Sequence, residues 1–341
     1  MRRYTPLLLT AFLMVLFSLS VSLYMSGHAD KPKEGKPLAT LTVYTTLPAE
    51  SAGVLAKAYE DEHKVRVDFL PLPAAEVLAR AKGGQGADLL LADQNTLEKA
   101  AQAGDFADYA SEAADSVSPT FKNKDGLWTG IWYDPVVFVM NRDYLRATPR
   151  APSTWSELAA APEGTRIALT DFLATDAFSH LFFSMMSQFG DTATYNILRG
   201  IQPKVVQYAR YLSTPVRMAG MGEVDLSVAV ESEALRYLQQ GYPLQIVYPA
   251  DGTAYTLTGC GILKETQNQA AAQSFADWLL SDEAQLALQG QDFYFVPTNP
   301  ATLAYKSFAG KNIVLFSHEQ PFTDVQRHEL LDRWVKEIRF Q

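Results

Sequence analysis

Between residues 41 and 104, short apolar segments alternate with helical patterns, and this alternation constrains the fold more than any other feature of the chain. The predicted strands lie at 41–44, 65–70 and 87–92. The predicted helices lie at 50–62, 73–82 and 95–104, where apolar residues recur at helical spacing. Alternation of this kind predicts a parallel sheet with helices on both faces.

The pattern changes at residues 126–145, an extended segment that is too long for one ordinary strand and carries Pro135 in its middle. A second alternating set follows from residue 165 to residue 249. A chain of 341 residues, 48% of them apolar, is long enough for two cores. The sequence therefore predicts an α/β protein with two lobes.

The amino terminus has the features of an export signal. Two arginines are followed by twenty uncharged residues, 6–25, and small residues at Gly27 and Ala29 allow cleavage after Ala29. The apolar run is also long enough to span a bilayer, so residues 1–29 are either a signal peptide or a retained membrane anchor. Residues 30–39, rich in lysine and proline, are predicted to be a linker.

Charge and cysteine content restrict the possible partners. The first 36 residues carry five basic and two acidic side chains, so the net charge of −9 for the whole chain leaves −12 on the rest. An acidic body repels phosphate backbones, which argues against nucleic acid. The single cysteine, Cys260, lies among apolar residues and is predicted to be a buried, inert thiol.

Several segments, in their order along the chain, resemble the extracellular solute-binding proteins of ABC importers. They are LTVYTTLP, GADLLLAD, WTGIWYDPVVFVMNRDYL, PSTWSELA, LTDFLATDAFSHLFF, MGEVDLSVAV, GYPLQIVYPADGTAY and AQSFADWLLSDEAQ. The resemblance spans residues 40 to about 300 and is greatest to the branch that binds ferric iron, thiamine, phosphonates, sugar phosphates and phosphoglycerate. No single motif is specific, but the ordered set is.

The resemblance implies a type II periplasmic-binding-protein-like fold of two lobes, each a mostly parallel sheet flanked by helices. Crossing hinge strands would join the lobes, and the solute would bind in the cleft between them. Lobe 1 is expected at 40–137 plus 250–300, and lobe 2 at 138–249. Residues 301–341 would form helices packed on the lobes, with a solvated charged face.

Candidate ligand contacts lie where predicted strands end, because ligands collect at the carboxyl ends of parallel strands. Thr45 and Thr46 follow the first strand, and their hydroxyls with the next backbone N–H groups would bind an anionic oxygen. The alternative is that one threonine only caps the following helix. Asp93 ends the third strand and is a further candidate.

The second set of elements supplies its own candidates. Thr175 and Asp176 occupy the loop where the family often has a Ser-Gly pair, although the glycine is missing here. Ser213 and Thr214 open a helix, and Arg217 lies one turn later, where it would pair with phosphate or carboxylate. Helix capping is the alternative for Thr175 and Asp176, and a surface or lobe-bridging position is the alternative for Arg217.

Residues at the two expected crossings complete the candidate set. Trp132 and Tyr133 precede the first crossing and would line the cleft. Asp251 and Tyr255 lie at the return crossing, where the corresponding residues of the family face the cleft. Asp251 would accept hydrogen bonds from a ligand, or form a turn before Gly252.

The expected function is capture of a small polar, anionic solute, phosphorylated or phosphonate-like, for delivery to a permease and its ATPase. No cofactor, metal or catalytic motif is predicted. A monomer is expected, and only the amino-terminal segment is expected to contact the membrane. Ferric iron is an alternative, because Glu231 and Glu233 lie near the place of the family's iron-binding tyrosines, although acids also favour a helix start. The other alternative is a membrane-tethered sensor that presents the bound solute to a signalling partner.

Overall fold

The computed structural model describes residues 40–82, 86–148, 150–317 and 322–340. The predictions of a signal or anchor at 1–29 and a linker at 30–39 lie outside these ranges. The first half-sheet contains three parallel strands, β1 (Thr40–Thr45), β2 (Arg66–Pro71) and β3 (Leu89–Asp93). The intervening and following helices are α1 (Ala49–His63), α2 (Ala74–Lys82), α3 (Gln94–Ala103) and α4 (Glu112–Ser116).

A single strand, β4 (Thr129–Asn141), belongs to both half-sheets. Up to Pro135 it pairs with the antiparallel strand β9 (Tyr255–Ile262), and from Val136 onward it pairs with β7 (Leu226–Val230). Proline has no N–H to donate to a ladder, so Pro135 suits the point at which the partner strand changes. The extended segment predicted around Pro135 is thus one strand shared by two lobes.

Lobe 2 repeats the strand and helix alternation. Its further strands are β5 (Ile167–Thr170), β6 (Val205–Ala209) and β8 (Leu244–Val247), and β5 is parallel to both β6 and β7. Its helices are α5 (Arg142–Ala147), α6 (Trp155–Ala159), α7 (Asp176–Phe189), α8 (Asp191–Ile201), α9 (Ser213–Gly220) and α10 (Glu231–Gln239).

After β9 the chain completes lobe 1 and then returns to lobe 2. The remaining elements are α11 (Gln269–Leu279), α12 (Asp282–Gln289), β10 (Val296–Pro297), α13 (Leu303–Lys306), α14 (Asp324–Trp334) and a π-helical turn (Val335–Arg339). The sheet order is β2-β1-β3-β9-β4-β7-β5-β6, with β10 and β8 also paired to β4. None of the helices in the described ranges is both long and apolar enough to cross a membrane.

Each half-sheet has a hydrophobic core on both of its faces, as the continuous apolar strands predict. Cys260 lies in one of the lobe 1 cores, so its predicted burial is confirmed, and this burial raises the pKa of its thiol to about 12.

The carboxy-terminal segment contributes to both lobes. Phe308 packs in a lobe 1 core, and Phe316 packs in a lobe 2 core. Between them, Leu315 forms a parallel β-bridge with Thr253, which lies beside the return crossing. The N–H of Thr253 donates to the carbonyl of Val314, and the carbonyl of Thr253 accepts from the N–H of Phe316. We call residues 308–316 the tie. The helices that follow do more than cover the surface, because Trp334 is fully buried in lobe 2.

Candidate functional site

A cleft of about 490 Å³ opens beside the strands that link the lobes. Trp132 and Asp134 alternate along β4 and are paired with Thr258 and Thr256 on β9, so the four side chains share one face of the sheet. They form the floor. The remaining lining residues are Leu47, Pro48, Glu50, Ser51, Leu212, Ser232, Glu233, Arg236, Gln240, Gln291, Asp292, Phe293 and Phe295.

The lobe 1 wall includes the first turn of α1. The residue that precedes this helix is Pro48, and no side chain caps the helix start. The hydroxyl of Ser51 donates instead to the carbonyl of Pro48, at 3.1 Å. The first backbone N–H groups of an α-helix have no acceptor within the helix, and the helix dipole places partial positive charge there. The start of α1 can therefore accept an oxygen anion.

The lobe 2 wall is built mainly from α10, which supplies Ser232, Glu233 and Arg236, and from Gln240, which directly follows this helix. Its first turn is held by Asp134, whose carboxylate accepts hydrogen bonds from the N–H (2.9 Å) and hydroxyl (2.6 Å) of Ser232. Desolvation raises the pKa of Asp134 to about 7, partly offset by these two hydrogen bonds.

Acidic side chains outnumber basic ones in the lining. The carboxyl groups belong to Glu50, Asp134, Glu233 and Asp292, and the only guanidinium among the lining residues is that of Arg236, which pairs with Glu233. Four hydroxyl and two amide side chains are interspersed among them. Such a surface offers many hydrogen-bond acceptors and little uncommitted positive charge.

The carboxylate of Glu231 points away from the cleft. Its side chain is 1% exposed, and it accepts hydrogen bonds from the hydroxyl of Tyr248 and from Nζ of Lys311, the latter at 3.3 Å. Its second oxygen, Oε2, has no hydrogen-bond partner among the described residues. Lys311 belongs to the tie, so this ion pair links the tie to α10.

The predicted residues at the ends of β1 and β3 lie together but contact the protein itself. The hydroxyl of Thr45 is buried, donates to the carbonyl of Leu91 at 2.6 Å and accepts from the N–H of Leu47. The hydroxyl of Thr46 accepts from the N–H of Asp93 at 3.2 Å. Asp93 caps α3 through Thr96. The residues that reach the cleft come directly after the threonine pair.

The predicted lobe 2 residues also have structural partners. Thr175 caps α7, and Asp176 is exposed in the first turn of that helix. Arg217 forms an ion pair with Glu223 at 3.1 Å, with both side chains more than 40% exposed. Ser213 and Thr214 begin α9 beside the cleft residue Leu212, but neither lines the cleft.

Of the four candidates near the crossings, Trp132 alone lines the cleft. Tyr133 points to the opposite face of β4, where it stacks on Phe121. Tyr255 packs edge-on against Tyr133. Asp251 accepts hydrogen bonds from the N–H of Trp155 and precedes Gly252, whose φ of +95° favours glycine, so the turn that was the alternative is present.

Several lining residues were absent from the predicted set, although a sequence signal existed for some of them. Asp134 follows from period-two alternation once Trp132 is placed on the cleft face, whereas Thr256 is identified only by its pairing with Asp134 in the structure. Ser51 follows from the free helix start behind the threonine pair. Nothing in the sequence pattern indicates Asp292 or Phe295, because they reach the cleft through the loop after α12.

The described residues show no preformed metal cage. No three His, Cys, Asp or Glu side chains in them lie close enough together to hold an ion. The lining residues include neither tyrosine nor histidine.

Two α/β lobes that share a long strand, with a cleft beside the crossing, define the type II periplasmic binding fold. The chain belongs to the bacterial extracellular solute-binding protein family, whose model matches residues 47–293. It is a periplasmic solute-binding protein of an ABC importer, and such a protein works with a permease and an ATPase. The family and the structural neighbours are binding proteins and not enzymes.

Relatives and solved structures agree with this assignment. An uncharacterised protein of Haemophilus influenzae is 24% identical, covering 94% of this chain and 95% of its own length. Iron uptake protein A1 of Synechocystis is 23% identical, with 82% of each chain covered.

Among solved structures, AfuA of Actinobacillus pleuropneumoniae with exogenous fructose-6-phosphate bound has a TM-score of 0.66 at 22% identity. The match covers 89% of this chain and 99% of AfuA. Iron-bound HitA of Pseudomonas aeruginosa has a TM-score of 0.64 at 20% identity, over 87% of this chain and 97% of its own.

Proposed function

We propose that this protein captures a small organic solute that carries one anionic group, phosphate or phosphonate, and several hydroxyl groups, with a sugar monophosphate as the best example. The uncapped start of α1 in the cleft wall is the observation that carries the proposal. A phosphate group there would accept hydrogen bonds from backbone N–H groups and gain from the helix dipole.

The rest of the lining supports the hydroxyl-bearing part. Carboxylates accept hydrogen bonds, and sugar hydroxyls donate them, so Glu233 and Asp292 suit a polyol better than a second anion. The four carboxyl groups and the single, already paired arginine weigh against phosphoglycerate, which carries two anionic groups. Trp132 and Phe295, stacked with ring centroids 5.5 Å apart, add apolar surface for the carbon skeleton. A relative with fructose-6-phosphate bound is consistent with this chemistry.

A thermal-shift screen followed by calorimetry tests the solute class, because a ligand that binds only the folded form raises the melting temperature. Sugar monophosphates should give the largest shift, above unphosphorylated sugars, phosphoglycerate, thiamine and polyamines. A panel in which every phosphorylated compound leaves the melting temperature unchanged would reject the proposal.

Replacing Ala49 with proline should weaken binding of the phosphorylated solute by a factor of roughly ten to a hundred, since a hydrogen bond to a charged group contributes roughly 1.5–3 kcal/mol. Ala49 is the first residue of α1, where proline removes an N–H without disturbing the helix. Pro48, at φ −56° and ψ 143°, already has the conformation required before a proline. Calorimetry measures the change. Ala49→Ser, which keeps the N–H, should lose less, and equal losses would contradict a role for this N–H.

Ferric iron is the second candidate, because two relatives are named iron uptake proteins and several similar structures are ferric binders. Fe(III) requires several anionic oxygens, which Glu50, Asp134, Glu233 and Asp292 could supply only by moving together. Ferric citrate in the same screen separates the two candidates. A shift with ferric citrate and none with sugar phosphates would favour iron.

A further inference from the structure

The start of α10 already holds an anion that belongs to the protein. The helix has no capping side chain of its own, since Val230 precedes it. Asp134 takes that place from the lobe 1 half of β4, with both carboxylate oxygens bonded to Ser232. The carboxyl group is buried, yet it lies on the cleft lining.

The charge of Asp134 is balanced differently from those of its acidic neighbours. Glu233 pairs with Arg236, and Glu231 pairs with Lys311 on the side away from the cleft. No lysine, arginine or histidine of the described ranges forms an ion pair with Asp134, so the helix end and Ser232 are what stabilise its ionised form. A solute anion that approached α10 would meet this carboxylate at short range.

We propose that Asp134 sets the charge selectivity of the cleft, because as a built-in anion it occupies the start of α10 and excludes the anionic group of a solute from the lobe 2 wall. The exclusion by Asp134, which rests on the proposed function, orients the solute so that its anionic group lies at α1 and its hydroxyls face α10. A solute with an anionic group at each end is then rejected.

The exclusion depends on pH. Burial, with a smaller contribution from the charges of Glu231 and Glu233, raises the pKa of Asp134 to about 7, so mild acid protonates the group. The other titratable or charged side chains around it, on α10, on α1, in the loop after α12 and in the tie, are Arg236, Glu50, Asp292 and Lys311. Below pH 7 the start of α10 loses its built-in anion.

Calorimetric titration with inorganic sulfate at constant ionic strength tests this without knowledge of the solute. At pH 8, Asp134→Asn should bind sulfate at least ten times more tightly than the wild-type protein, because the amide keeps the shape and removes the charge. Asp292→Asn, which removes an equal charge from the cleft lining but at neither helix start, should gain clearly less. Equal gains would show that only the net charge of the cleft matters and would overturn the assignment.

The wild-type protein provides a second measurement that needs no variant. Sulfate remains a dianion between pH 6 and 8, and its affinity should rise severalfold as the pH falls across this range. Asp134→Asn should show a flat profile, and Asp134→Ser replaces it if circular dichroism shows that the asparagine variant is unfolded. A flat wild-type profile overturns the inference. Failure of all phosphorylated compounds in the solute screen rejects the proposed function instead, so the two outcomes are separable.

Discussion

Replacing Trp334 with alanine should lower the free energy of unfolding by about 3–5 kcal/mol, the range measured for large aromatic residues in cores. The side chain is fully buried in lobe 2, with its ring centroid 4.9 Å from that of Phe172 and 5.5 Å from that of Tyr208. Its indole N–H has no hydrogen-bond partner among the described residues, so the loss comes from packing.

Urea unfolding followed by circular dichroism measures this effect. Phe340→Ala is the matched control in the same segment, because Phe340 is 73% exposed and its removal should cost less than about 0.5 kcal/mol. If both variants lost the same small amount, the carboxy-terminal helix would be a surface attachment and not part of the lobe 2 core.

Replacing Lys311 with methionine should lower the free energy of unfolding by about 3 kcal/mol at pH 8, because it leaves the buried carboxylate of Glu231 without its cation. Lys311 is itself partly exposed, so the loss comes from the unpaired Glu231 and not from burial of the lysine. The second substitution Glu231→Gln should restore most of the loss. A double variant as unstable as Lys311→Met alone would contradict the proposed cause.

The pH dependence of this pair follows from the direction of the pKa shift. Desolvation raises the pKa of Glu231, and Lys311 and Tyr248 oppose it. A raised pKa contributes stability that is fully present below the unfolded value and is lost as the pH rises through the folded value. The difference between wild type and Lys311→Met should therefore shrink as the pH falls below the folded pKa of Glu231, which denaturation at pH 5 and pH 8 measures.

The sequence predicts the fold well because the signals that define it are local. Apolar runs such as 87–92 became buried strands, and the segment around Pro135 became the shared strand β4. The sequence does not predict that the carboxy-terminal segment packs against both lobes, since the burial of Trp334 depends on partners more than a hundred residues away.

The cleft was harder to predict than the fold, because strand ends carry two kinds of polar residue. Thr45, Asp93 and Thr175 hold neighbouring backbone groups, whereas Ser51 and Ser232 open onto the cleft. Both kinds have the same residue types at similar spacing. The direction of each side chain is decided by strand pairing and helix capping, which a single sequence does not specify.

The tie has a consequence for how the two lobes move. Phe308 is held in lobe 1 and Phe316 in lobe 2, so residues 308–316 form a third covalent link beside β4 and the return crossing. With three links in place of two, we expect the lobes to have less freedom to move relative to one another. Cutting the backbone within this segment should therefore widen the range of lobe orientations in the empty protein, so that more conformational entropy must be lost when a solute is enclosed.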